Sequence, residues 1–377
     1  MVRQLAIAAG LTITAAGSPD AKDTGALARP LDAQPLTDLR AAIATAPGGL
    51  VLIADPGTFA SGRPGASGSG PNASARNDAR SDAEELDAAR DRGLKIASLV
   101  PLPASLSTLA QVGAPIVGAR SGTLGLWCEL LGLARLAPRF RELTELVEHF
   151  GPVQSVQVTM MASAACGGLG ARLIDALDLC AALLGEPESV WAAHAGAEGG
   201  LSERHIATPV PEALSDLHGE LALALRYEHA RCASVLCSDR GGRYGLSVTA
   251  VGPRGRVTMT DHALLWLGPD GRSVDDPARQ EPAPPPLGTP PQQSSVIQSS
   301  APLSLAPPST PFAGITPEAL FVTLAGRQLR DYLASGVGSS QQLDYVRLLS
   351  CAQAALLSAR TGQPQSPATM KRLGGLS

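Results

Sequence analysis

Lysine, histidine and cysteine carry much of the acid–base, nucleophilic and metal chemistry of proteins, and this chain is sparing with all three. Its lysines are Lys22, Lys95 and Lys371, so nearly all positive charge is arginine, which does not give up a proton near neutrality. The histidines are His149, His194, His205, His218, His229 and His262. They show no metal-ligand spacing, which predicts surface or hydrogen-bonded imidazoles. The cysteines Cys128, Cys166, Cys180, Cys232, Cys237 and Cys351 form no C-x-x-C and pair with no histidine at zinc spacing. Buried or half-buried free thiols are therefore expected, in keeping with a reducing cytoplasm. Serine-rich tracts around Ser61–Ser81 and Ser294–Ser309 supply hydroxyls without a Ser/His/Asp grouping. Asp55-Pro56-Gly57 reads as a plain turn, with ligand contact by Asp55 as the alternative. No G-x-G-x-x-G occurs, so the usual turn that aims backbone N–H groups at a dinucleotide pyrophosphate is missing.

Composition narrows the functional classes further. The 377 residues suffice for two domains with sizeable cores. Apolar residues make up 44% but aromatics only 3%, so the cores rest on Leu, Val, Ile and Ala. A formal net charge of -4 without long runs of one sign argues against nucleic acid as a partner. No stretch is long and apolar enough to span a membrane. Arg3 followed by Leu5–Ala16 resembles a weak export signal, so export is the alternative to a cytoplasmic location.

The elements alternate at first. Val2–Ala9 predicts a helix stopped by Gly10, Leu11–Ala16 a strand, Pro35–Thr45 a helix, and Gly49–Ala54 a buried strand of the kind parallel sheets use. Ser61–Ala79 is too poor in apolar side chains to order itself and predicts a loop. Asp82–Arg92 predicts a helix and Leu94–Leu99 a further strand, which together imply a parallel α/β layer. After the amphipathic helix Pro138–Phe150 and the strand Val153–Met161, Leu173–Leu184 predicts a helix. Strands then dominate: Ser189–Ala195, Glu220–Glu228, Ala230–Cys237, Tyr244–Val251, Arg256–Thr260 and Ala263–Leu267. Asp276–Pro311 is dense in Pro, Gln and Ser and predicts a tether. Helices over Thr316–Ser335 and Ser340–Arg360 close the chain. The expected class is α/β plus α+β: a truncated Rossmann-like parallel domain over 1–118, then a mostly antiparallel sheet with helices on one face over 119–275 and 313–377. Low-complexity loops occupy 61–79 and 276–312, and the C-terminal helices have the option of packing back on the first domain.

In this order the pieces resemble the glucose–fructose oxidoreductase / inositol dehydrogenase (Gfo/Idh/MocA) family over nearly the whole chain. The carriers are Ala176-Leu177-Asp178-Leu179 with Leu183 through Val190, the upstream Gly167-Gly168, the stretch Arg256–Leu267 with its turn at Gly268–Gly271, and the end of the final helix at Ser358–Gly362. The resemblance implies hydride transfer between NAD(P) and a sugar, cyclitol or related alcohol. It also implies oligomer contacts through the sheet. Matched residue by residue, however, the chemistry is missing. The ribose-binding acid matches Ser18, with Asp20 following at a less critical place. The Glu-Lys-Pro triplet matches Leu99-Val100-Pro101, so the Pro survives and the Lys is Val100. The Asp and His of the catalytic helix match Ala171 and Asp175. Asp175 is the weak candidate for a general acid/base; a carboxylate titrates at about 4 unless strongly buried. The alternative is a helix N-terminal charge or a solvated residue. Residual cofactor contacts would fall to Ser18, Asp55 and Pro101, and Lys95 lies too early on its strand to replace the lost lysine.

These matches predict a pseudoenzyme of oxidoreductase fold, with a scaffold, partner-binding or small-ligand role and no cofactor, or NAD or NADP if the cleft is retained. The alternatives are an active NAD(P)-dependent oxidoreductase with a start codon placed too late and relocated acid/base groups, and an exported binding protein. Homo- or hetero-oligomers through the C-terminal sheet are the expected assemblies.

Overall fold

The computed structural model describes residues 1–17, 24–36, 43–44, 49–55, 73–112, 126–196, 210–274 and 318–375. The first domain holds a helix α1 (Val2–Ala9), a strand β1 (Ala15–Gly17), a helix α2 (Thr24–Ala28), strands β2 (Gln34–Leu36) and β3 (Gly49–Ile53), helix α3 (Ala73–Asp91), strand β4 (Leu94–Ser98), helix α4 (Leu106–Val112) and strand β5 (Glu129–Leu130). All its pairings are parallel: β1 with β2, and β3, β4 and β5 side by side. Helix α5 (Pro138–Phe150) leads into the second domain. There β6 (Ser155–Ser163), helix α6 (Gly168–Leu184), β7 (Ser189–Ala195), β8 (Glu220–Arg226), β9 (Cys232–Ser238), β10 (Arg240–Gly252), β11 (Gly255–Thr260) and β12 (Leu264–Leu267) are followed by helices α7 (Ala319–Ser335), α8 (Tyr345–Thr361) and α9 (Pro367–Leu373).

The seven strands β6–β12 form one sheet in the order β12-β11-β10-β6-β9-β8-β7. Every neighbour is antiparallel except β6 and β9, which run parallel in the middle. Alternation decides the faces. Leu221, Leu223 and Leu225 of β8 point into the core with Val156, Val158 and Met160 of β6, where α6 and α8 cover them. A second cluster joins the domains: Leu5 and Ala9 of α1, Ala97 and Leu99 beside β4, Tyr244 of β10, and Phe321, Ala325 and Leu329 of α7. Gly326 lets α7 approach α1 closely, because a Cβ there would sit 2.8 Å from that of Ala8.

The parallel first layer and the mostly antiparallel second sheet stand as read from the sequence, with local corrections. The first strand is short, Ala15–Gly17 rather than Leu11–Ala16. Gln34–Leu36 is a strand, not the start of a helix, because pairing with β1 overrides local preference. Helix α3 begins at Ala73, inside the segment expected to be a loop through Ala79; its alanines, arginines and glutamates are good helix formers. Helix α6 starts at Gly168, five residues before Leu173, directly at the turn glycines. The segment Ser340–Arg360 breaks in two: a 3-10 turn over Ser339–Gln342, then α8, whose cap Asp344 accepts the Arg347 N–H at 3.2 Å. Helix α9, with proline in its first turn, had no counterpart in the sequence reading. Ser18, Asp20 and residues 61–72 and 276–312 lie outside the described residues.

Candidate functional site

The carboxyl end of β4 and the start of α6 meet. Gly167 holds φ +108°, and a Cβ on it would fall 2.1 Å from the Leu99 carbonyl oxygen. Only glycine tolerates both the backbone conformation and the approach. The turn Leu99-Val100-Pro101 is therefore pressed against the N-terminus of α6. Its residues are buried, with Val100 8% exposed. The Ser98 side chain satisfies the turn from within: its hydroxyl lies 2.7 Å from the Val100 carbonyl oxygen and accepts the Val100 N–H at 3.1 Å. Gly170, one turn on, abuts the Leu214 carbonyl in the same manner.

Helix α6 then places Ala171, Arg172, Asp175 and Asp178 in the protein interior. Asp175 is 1% exposed and lies two turns into the helix, which corrects the reading of it as an N-terminal or solvated charge. Its Oδ1 accepts the Ala134 N–H at 2.8 Å, and its Oδ2 stands 3.7 Å from Arg172 Nη1. Burial pushes the Asp175 carboxyl up to about 7, against the opposing pull of Arg172 and of the Ala134 N–H. Asp178 is raised to about 6 by the same desolvation, opposed by Arg135, which donates to its Oδ1 at 3.0 Å. Arg172 is equally buried. Its guanidinium lies 5.6 Å from the Tyr244 ring centre and 5.1 Å from that of Phe321, and its Nη2 donates to the Cys166 carbonyl at 3.2 Å. The structure thus brings the Leu99–Pro101 turn against the start of α6 beside Ala171, and sets Arg172 and Asp175 side by side in the interior further along the same helix.

Other sequence candidates are placed elsewhere. Asp55 sits exposed just past β3. Lys95 turns away, its Nζ meeting the carbonyl oxygens of Tyr332, at 3.4 Å, and Leu333 at the end of α7. Cys232 is exposed while the other five thiols are buried; none is in a disulfide. No group of three or more His, Cys, Asp or Glu suited to a metal occurs among the described residues.

Three arrangements escaped the sequence reading. Arg172 stands three residues before Asp175, a helical spacing that was visible. His218 lies 3.0 Å from Asp239 through its Nδ1, and Asp239 also accepts the Gly219 N–H at 2.9 Å. Glu129, Gln328 and Ser339–Ser340 form a buried network: Gln328 Nε2 donates to Glu129 Oε1 at 2.7 Å while its Oε1 accepts the Gly132 N–H at 2.9 Å. Partners separated by about 200 positions leave no signature in a single sequence.

No family model and no curated protein matches the sequence. Solved structures do. An oxidoreductase from Agrobacterium radiobacter, solved with NAD+, L-tartaric acid and magnesium, superposes at a TM-score of 0.56 and 16% identity, over 98% of this chain and 96% of that one. The scyllo-inositol dehydrogenase of Lactobacillus casei gives 0.56 and 14%, over 97% and 94%. A myo-inositol dehydrogenase of Corynebacterium glutamicum gives 0.54 and 15%, over 97% and 95%. This chain has the Gfo/Idh/MocA fold. Open α/β sheets of this kind receive ligands at the carboxyl ends of their strands. At the end of β4 the Gfo/Idh/MocA-fold chain presents Leu99, Val100 and Leu102, at 1%, 8% and 0% exposure. None of these side chains can exchange a proton with a hydroxyl.

Proposed function

We propose that this chain is a catalytically degenerate protein of the Gfo/Idh/MocA fold that acts as a scaffold, pairing with a second copy of itself through the open face of its large sheet. One observation carries the loss of catalysis. The carboxylate at the position matched to the catalytic histidine is 1% exposed and held between the Ala134 N–H and Arg172. A general acid/base has to reach the proton it moves, and this one is closed off from bulk solvent. Val100 and Ala171, at the other two matched positions, carry no group that could substitute.

The pairing surface rests on the sheet register. A row runs across all seven strands from Trp191 through Ala224, Ser234, Gln157, Thr249 and Thr258 to Leu265, without one charged side chain. Trp191 is 45% exposed and Leu265 43%, and Leu236 is exposed in the adjacent row. A face that offers exposed apolar side chains without a charge to desolvate along this row suits a two-fold contact with itself.

The second reading is a live NAD(P)-dependent oxidoreductase with Asp175 as its acid/base. The observation on its side is the rise of the Asp175 carboxyl to about 7, the range a general base needs. Calorimetric titration with NADH and NADPH, followed by turnover assays with sugars and cyclitols, separates the two. The degenerate reading expects neither saturable binding nor turnover. Turnover abolished by Asp175→Asn would establish the live enzyme.

A further inference from the structure

The region filled by Arg172 is not fully satisfied by protein atoms. Asp175 Oδ2, Arg172 Nε and Nη1, and the Tyr244 hydroxyl are all buried and make no hydrogen bond with a described residue. Their residues are 1%, 1% and 2% exposed. They are also neighbours. Arg172 Nη1 stands 3.7 Å from Asp175 Oδ2, beyond a direct hydrogen bond. Its guanidinium carbon is 5.6 Å from the Tyr244 ring centre. Asp175 exerts the largest electrostatic effect on the Tyr244 phenol, which burial chiefly raises. Leaving such groups unpaired costs on the order of 1–3 kcal/mol each, and native interiors rarely accept that cost several times in one place.

We infer that an ordered water is enclosed between Asp175, Arg172 and Tyr244 as a resident part of this fold. The chemistry of the three groups selects it. Arginine nitrogens only donate, a carboxyl oxygen accepts when ionised and the group also donates when protonated, and a phenol does either. A water accepts from Arg172, donates to Asp175 Oδ2 and closes the third bond with Tyr244 Oη, the two to four partners typical of a buried water. The near-complete burial of all three residues favours a solute as small as water. The water also gives Arg172 a second fixed point besides the Cys166 carbonyl, so that it holds the guanidinium between the Tyr244 and Phe321 rings.

The test is a crystal structure of the unaltered full chain at a resolution that shows individual waters, with Tyr244→Phe alongside. The expected result is a discrete peak within hydrogen-bond distance of Asp175 Oδ2, an Arg172 nitrogen and Tyr244 Oη, lost or displaced in the variant. No peak in the unaltered protein, with Arg172 bonded directly to Asp175 and Tyr244 Oη bonded to protein, overturns the inference. So does a peak that stays in place in Tyr244→Phe. Should the variant fail to fold, the unaltered structure alone decides.

Discussion

Replacing Asp175 by asparagine removes one titrating group while keeping an acceptor for the Ala134 N–H. The carboxyl sits at about 7 in the folded chain against an ordinary value of 3.8. Folded protein therefore binds this proton more tightly than unfolded protein, so Asp175 favours folding below pH 3.8 and that contribution is lost as pH rises through 7. The whole gap corresponds to roughly 4 kcal/mol. Between pH 5 and 8 the expected loss is about 2–3 kcal/mol, nearly all of it below pH 7, and it belongs to the unaltered protein alone. Urea unfolding of both proteins across that range isolates it, because other groups cancel in the difference. Asp175→Asn carries no titrating group, so the stability of the unaltered protein falls relative to that of the variant as pH rises from 5 towards 7. A difference that stays flat from pH 5 to 8 would refute the reasoning. It would mean that Arg172 and the Ala134 N–H outweigh desolvation and keep the carboxyl ionised throughout.

Gly167→Ala should destabilise the chain by roughly 2–4 kcal/mol, since strain at positive φ adds to a clash with the Leu99 carbonyl; differential scanning calorimetry checks it, and an unchanged melting temperature would deny the close contact. Gln328→Leu leaves Glu129 and the Gly132 N–H short of partners and should cost about 2–4 kcal/mol, read from chemical denaturation. Trp191→Arg places a charge at the β7 end of the uncharged row and should convert a dimer to monomer in sedimentation velocity, with the circular dichroism spectrum unaltered. A monomer already present before substitution would remove the scaffold reading instead.

Period-two alternation in β8 and the apolar run of β3 made the two sheets legible from residues alone, because burial on one face or both imposes those patterns. Glycines at 10 and 185 marked helix ends for the same local reason. The strand Gln34–Leu36 did not declare itself: its pairing with β1 is a non-local fact that local propensity misreads. The sequence also determined that Val100 and Ala171, the residues that the resemblance aligns with catalytic ones, carry no proton chemistry. Only the tertiary structure decided the environment of Asp175. Its burial, its Ala134 partner and the Arg172 side chain beside it depend on packing between α6, the turn before α5 and α7, and desolvation is a property of that packing rather than of the carboxylate itself.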